Sequence, residues 1–100
     1  MPVFPLKLEK TYFAKGFFNV RVGYDKYVRH DSGPVTLILG DGRHSVQGEV
    51  NRTANQNGTA RIFGGDALRD WFQANFGLYD IVNVEFLSYE RIRLSKPIEK

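Results

Sequence analysis

Two dipeptides that tolerate left-handed backbone, Asp41-Gly42 and Asn57-Gly58, each sit between short runs rich in apolar and β-branched residues. Such pairs suit the tight turns that join antiparallel strands. Val35-Thr36-Leu37-Ile38-Leu39 leads into the first turn, with residues 44–52 expected to return as its partner strand. The second turn is expected to close a hairpin returning through residues 59–63. Upstream, residues 17–22 alternate, with Phe18, Val20 and Val22 on one face and Phe17, Asn19 and Arg21 on the other. Residues 81–87 and 89–94 read as a last hairpin, followed by a polar tail from Ser95. Strands this short, at a spacing of about ten residues, restrict the chain to a barrel or a sandwich.

Helical patterning is confined to two places. Leu68, Trp71, Phe72 and Phe76 make one broad apolar stripe over 67–76, with Asp66 positioned to cap its start and Gly77 to end it. A shorter helix is expected over 24–30, where Tyr24, Tyr27 and Val28 share a face and Asp31-Ser32-Gly33-Pro34 stops it. One hundred residues hold one domain, with a core over about 3–94 and a tail over 95–100. No apolar run is long enough for a membrane span, the first ten residues lack a signal-like apolar region, and there is no cysteine. The expectation is a cytoplasmic, soluble, monomeric domain.

Charge is distributed unevenly. Residues 10–24 contain no Asp or Glu and carry Lys10, Lys15 and Arg21; residues 50–65 contain none and carry Arg52 and Arg61. These windows hold five positive charges, while the other 69 residues sum to −2, nine basic against eleven acidic. A surface that approaches phosphates excludes carboxylates, because like charges facing each other across an interface cost several kcal/mol.

Within the second window, Asn51, Arg52, Thr53, Asn55, Gln56, Asn57, Thr59 and Arg61 make eight hydrogen-bonding side chains in twelve residues. Asn and Gly weaken strands, but amides can pair with adenine and Arg with guanine in the major groove, which admits a two-stranded ribbon. Turn formation alone accounts for Asn57-Gly58 and leaves the flanking amides and arginines unexplained. In the first window Lys10, Tyr12, Lys15, Asn19 and Arg21 mix cations with aromatics, a composition that also suits single-strand binding. Tyr12 is either a phosphate or sugar contact or a rim residue, and Phe13 and Phe18 read as core.

Catalytic patterns are missing. Asp80 and Glu85 lack the following Lys of a metal-dependent nuclease, His30 and His44 form no metal-ligand spacing, and there is no nucleophile elbow, phosphate loop or dinucleotide fingerprint. No metal, cofactor or enzymatic activity is expected of this domain.

The order of elements, with Thr59-Ala60-Arg61-Ile62-Phe63 leading into Leu68-Arg69-Asp70-Trp71-Phe72, then Asp80-Ile81-Val82-Asn83-Val84 and Ile92-Arg93-Leu94, resembles the DNA-binding pseudobarrel. Plant B3 transcription-factor domains share that fold with the recognition domains of EcoRII-type restriction endonucleases. The resemblance implies a mainly β, small α+β domain: a seven-stranded open pseudobarrel with two short helices, about 24–30 and 67–76. It also implies two arms gripping duplex DNA in the major groove. The N-terminal arm would comprise Lys10, Tyr12, Lys15 and Asn19, with Arg21 beside it. The C-terminal arm would comprise Asn51, Arg52, Thr53, Asn55, Gln56, Asn57, Thr59 and Arg61. Tyr79-Asp80 stands where the family has Gly-Asp, and the plant-type Ile-Pro-Lys is absent, which points to the restriction-enzyme branch. The expected partners are double-stranded DNA and a nuclease domain in the same or another chain. Rival expectations are a single-strand or RNA-binding small barrel and a protein-interaction module presenting Trp71.

Overall fold

The computed structural model describes residues 2–97. Seven strands form one curled, open sheet: β1 (Val3–Lys7), β2 (Phe17–Asn19), β3 (Gly33–Leu39), β4 (His44–Asn51), β5 (Arg61–Phe63), β6 (Ile81–Ser88) and β7 (Arg91–Ser95). Their order is β1-β6-β7-β3-β4-β5-β2. The β3–β7 pair is parallel and all the others are antiparallel. β1 and β2 are therefore the free edges of the barrel. Pro5 fits in β1 because an edge strand can lack an N–H.

Strict alternation builds the interior. Val35, Leu37 and Leu39 of β3, Val82, Val84 and Phe86 of β6, and Ile92 and Leu94 of β7 all point inward and are buried. Phe4, Leu6, Phe18, Val50 and Ile62 complete the wall, and Leu68 and Phe72 plug one end. No polar or charged residue is buried among those described.

Three helical segments decorate the sheet where two were expected. α1 (Lys10–Lys15) occupies the first half of the expected basic arm. It ends at Gly16, whose left-handed φ of 75° satisfies the Tyr12 carbonyl through its N–H. A Cβ on Gly16 would lie 2.4 Å from the Gly65 carbonyl oxygen, so this glycine also lets α1 approach the second helix closely. The expected helix over 24–30 is a 3-10 turn at Val22–Tyr27. Its i, i+3 pair Tyr24 and Tyr27 eclipses into one ridge that packs on Phe86 at 6.3 and 5.9 Å, while Val28 returns to extended backbone and is buried. Val22 belongs to that turn and is 69% exposed, so β2 stops before it.

α2 (Gly65–Asn75) carries the anticipated stripe: Leu68 and Phe72 are buried, and Trp71 and Phe76 pack half-buried against the core. Its ends differ from expectation. Gly64 holds the N-cap position without a side-chain cap, and Asp66 lies in the first turn, where it pairs with Arg69 at 3.2 Å. Gly77 is not left-handed; Tyr79 takes that conformation, with φ 70°.

The two turns also differ from expectation. Leu39 pairs with His44, so residues 40–43 form a four-residue loop with Gly40 and Gly42 both at positive φ. Asn57-Gly58 lies in a nine-residue loop, 52–60, instead of closing a ribbon. Ser95 is the last residue of β7, and residues 98–100 of the expected tail lie outside the described residues.

Candidate nucleic-acid interface

The gap between the two edge strands is a concave cleft of about 840 Å³. β1 forms one wall through Phe4, Pro5, Leu6 and Lys7; Asn19, Val20 and Arg21 form the other. Tyr12 closes one side and the 52–60 loop overhangs the opening with Ala54, Asn55, Gln56, Asn57 and Thr59. The Arg21 guanidinium bridges the gap: Nη2 donates to the Pro5 carbonyl at 3.2 Å and the group lies 5.6 Å from the Phe4 ring.

The two acid-free windows thus meet on one face. Of the thirteen residues singled out by sequence, Tyr12, Asn19, Arg21, Asn55, Gln56, Asn57 and Thr59 line the cleft. Lys10 and Lys15 stand exposed on α1 instead of on an extended arm. Asn51 and Thr53 lie at the root of the loop. Lys7 and Glu9 also line the cleft and were not anticipated, so the lining charge is two cations against one carboxylate.

Arg52 was expected to reach base edges; it lies instead beneath the loop. Its side chain is 14% exposed, and Nη1 donates to both Asp25 carboxylate oxygens. Nη1 also reaches the Gly58 carbonyl at 3.3 Å, and Nη2 donates to the Arg29 carbonyl at 2.7 Å and the Val28 carbonyl at 3.3 Å. The Arg52 backbone N–H donates to Ser32 Oγ at 2.9 Å, and Asp25 Oδ1 also accepts the Ala60 N–H at 2.8 Å. One carboxylate on the 3-10 turn therefore clamps both ends of the loop. A guanidinium with five donors so engaged has no capacity left for a ligand.

Arg61 is half-buried behind the cleft wall. Nε donates to Asn19 Oδ1 at 2.9 Å and Nη2 to Asn55 Oδ1 at 3.2 Å, while the guanidinium lies 4.9 Å from the Phe17 ring. Phe17 also meets Tyr12 at 5.4 Å and Phe63 at 5.5 Å, so its ring is covered by neighbours. Two asparagines shape the loop itself. Asn51 Oδ1 accepts from the Thr53 and Ala54 N–H groups at 2.8 and 2.9 Å; Asn57 Oδ1 accepts from the Thr59 N–H at 3.1 Å. Both are Asx turns.

Next to the loop root, Arg29 and Asp31 pair at 3.0 Å. The side-chain hydrogen bond to Arg29 holds the Asp31 carboxyl below its ordinary value, and the same bond raises Arg29. Among the described residues no three His, Asp or Glu side chains converge to hold a metal, and no helix is long and apolar enough to cross a membrane.

No protein-family model matches the sequence. No curated protein matches it either. Among solved structures, the N-terminal domain of Helicobacter pylori LlaJI.R1 is similar, with a TM-score of 0.63 over 93% of this chain and 78% of that chain, at 11% sequence identity. At that identity the similarity is one of fold.

Proposed function

We propose that this domain binds double-stranded DNA sequence-specifically. In this reading the cleft between β1, β2 and the 52–60 loop sits astride a phosphate backbone and the loop reaches base edges in the major groove. The observation that carries the reading is the convergence of residues from two carboxylate-poor windows, distant in sequence, on one concave face lined by Lys7 and Arg21 against the single carboxylate of Glu9, with Lys10 and Lys15 exposed on α1. The fold similarity to a domain of a restriction-modification protein supports a DNA-related role. The pseudobarrel resemblance extends that role to the recognition module of a restriction endonuclease, with cleavage carried out by another domain or chain. Positions then divide by chemistry: Lys10, Lys15, Arg21 and Tyr12 hold the backbone, while Gln56, Asn57 and Thr59 face the bases.

Duplex is favoured over single-stranded nucleic acid by the state of the aromatics. Single-strand binders stack bases on open rings, whereas of the cleft's aromatics Phe4 is buried and Tyr12 is half-buried edge-on to Phe17. A protein-docking role for the aromatic helix has less support, since Leu68 and Phe72 are buried and Trp71 packs against Phe76 at 5.2 Å.

Fluorescence anisotropy with a labelled duplex across a salt series tests the reading. Neutralising three to five phosphates gives a log–log slope of about −3 to −5, and unlabelled single strand should compete poorly. A slope near zero, or single strand displacing duplex at equal concentration, refutes it.

A further inference from the structure

The hydrogen bonds inside the cleft fix which end of each amide faces outward. The Asn57 oxygen accepts two donors, the Thr59 N–H and the Thr59 hydroxyl at 2.7 Å. A backbone N–H cannot be served by an amide NH2, so the oxygen must point inward and Nδ2 outward. Asn51 is fixed in the same way by the Thr53 and Ala54 N–H groups. The Asn19 oxygen takes Arg61 Nε at 2.9 Å and Asn55 Nδ2 at 3.0 Å, which leaves Asn19 Nδ2 free of any described partner. Asn55 is tied at both ends: Nδ2 also donates to the Thr59 carbonyl at 3.1 Å, and Oδ1 accepts from Arg61. Each orientation rests on a partner that can only donate or only accept.

We infer that Asn19 and Asn57 meet their ligand as hydrogen-bond donors only, so that they read acceptor groups, and that Gln56 is the one cleft amide able to read adenine. Bidentate recognition of adenine requires a donor and an acceptor from one amide. Gln56 is exposed, lines the cleft and has no described side-chain partner, so both of its ends are available. Asn57 and Asn19 can instead donate to guanine O6 or N7, or to a phosphate oxygen. Thr59, whose hydroxyl proton is engaged by Asn57, offers lone pairs only. Arg61 and Asn55 act as positioning residues that hold Asn19 in this orientation.

This inference rests on the duplex-DNA reading and deepens it. The test is Asn57→Asp, which keeps an oxygen for the Thr59 N–H and hydroxyl but replaces the outward NH2 with a carboxylate oxygen. Wild type and variant are measured on a duplex selected by the wild type from a random library, and on the same duplex carrying 7-deazaguanine. An unchanged thermal midpoint for the variant confirms that the loop persists. The expected result is an affinity loss of about tenfold or more. A loss that shrinks on 7-deazaguanine identifies guanine N7 as the acceptor, one that persists there but shrinks when that guanine is replaced by another base identifies O6, and an equal loss on every sequence identifies phosphate. Variant binding as tight as wild type overturns the inference. As a second arm, replacing adenine by purine, which lacks the 6-amino group, should weaken wild type and leave Gln56→Leu unaffected; an undiminished effect in Gln56→Leu makes an asparagine the adenine reader and overturns it too. A wild type that selects no duplex at all instead removes the DNA reading, and this inference with it.

Discussion

Removing the Asp25 carboxylate tests whether the 52–60 loop is held from below. In Asp25→Ala the Arg52 guanidinium, 14% exposed, keeps only carbonyl partners, and the N–H of the fully buried Ala60 loses its acceptor. Breaking one side of a buried ion pair costs about 3–5 kcal/mol. The Asp25 side chain retains 26% exposure, so water screens part of the pair and the lower end applies. The orphaned N–H adds roughly 1 kcal/mol that overlaps with this loss. A net destabilisation of about 3 kcal/mol follows, large beside the roughly 5–15 kcal/mol that stabilises a domain. Thermal unfolding followed by circular dichroism should show a midpoint lowered by about 12–24 °C. Arg52→Ala should cost a similar amount, and the double variant less than the sum of the singles by about 1–3 kcal/mol. Singles that add within about 0.5 kcal/mol, or a midpoint within a few degrees of wild type, would refute the clamp.

Gly16→Ala should prevent folding or lower the thermal midpoint severely, because its Cβ would strike the Gly65 carbonyl oxygen at 2.4 Å and the Arg69 nitrogen at 2.7 Å, both backbone; a near-native melt contradicts this packing. Asp31 has its pKa depressed by Arg29, so its stabilising contribution is present above the ordinary value of 3.8 and is lost as pH falls through the lower folded value. The midpoint difference between wild type and Asp31→Asn should therefore be greatest above that pH and vanish in stronger acid; a difference that grows on acidification reverses the sign. Trp71, packed between Phe72 and Phe76 at the rim of α2, should show partial quenching by acrylamide, neither the full access of an exposed indole nor complete protection.

The parts of this fold that repeat a simple period were legible in the sequence. Val35, Leu37 and Leu39 alternate into the core as their spacing demands, and Leu68 and Phe72 face inward from a 3.6-residue stripe. β1 and the residue after it carried the same signal in Phe4, Leu6 and Leu8, which escapes notice because Pro5 interrupts it. α1 gives little pattern: its six residues bury none fully, and its stop signal, Gly16, works through contact with a helix 49 residues away at Gly65. The site divides along the same line. Two acid-free windows forecast one cleft wall and the loop over its opening, but not the other wall, β1, and Arg52 becomes structural through Asp25, 27 residues distant, a pairing that no local pattern announces. The asparagines were partly readable, since Asn51-Arg52-Thr53 and Asn57-Gly58-Thr59 both have the spacing of an Asx turn.

DNA binding by this domain requires the two windows to act as one surface. Following backbone amide resonances while a short duplex is titrated into the protein measures that directly. Shifts are predicted for residues 10–21 and 53–59 together, with Trp71 and the 40–43 loop, which line a separate pocket, unaffected. Shifts centred on Trp71 and Arg93, or confined to one window alone, would contradict it.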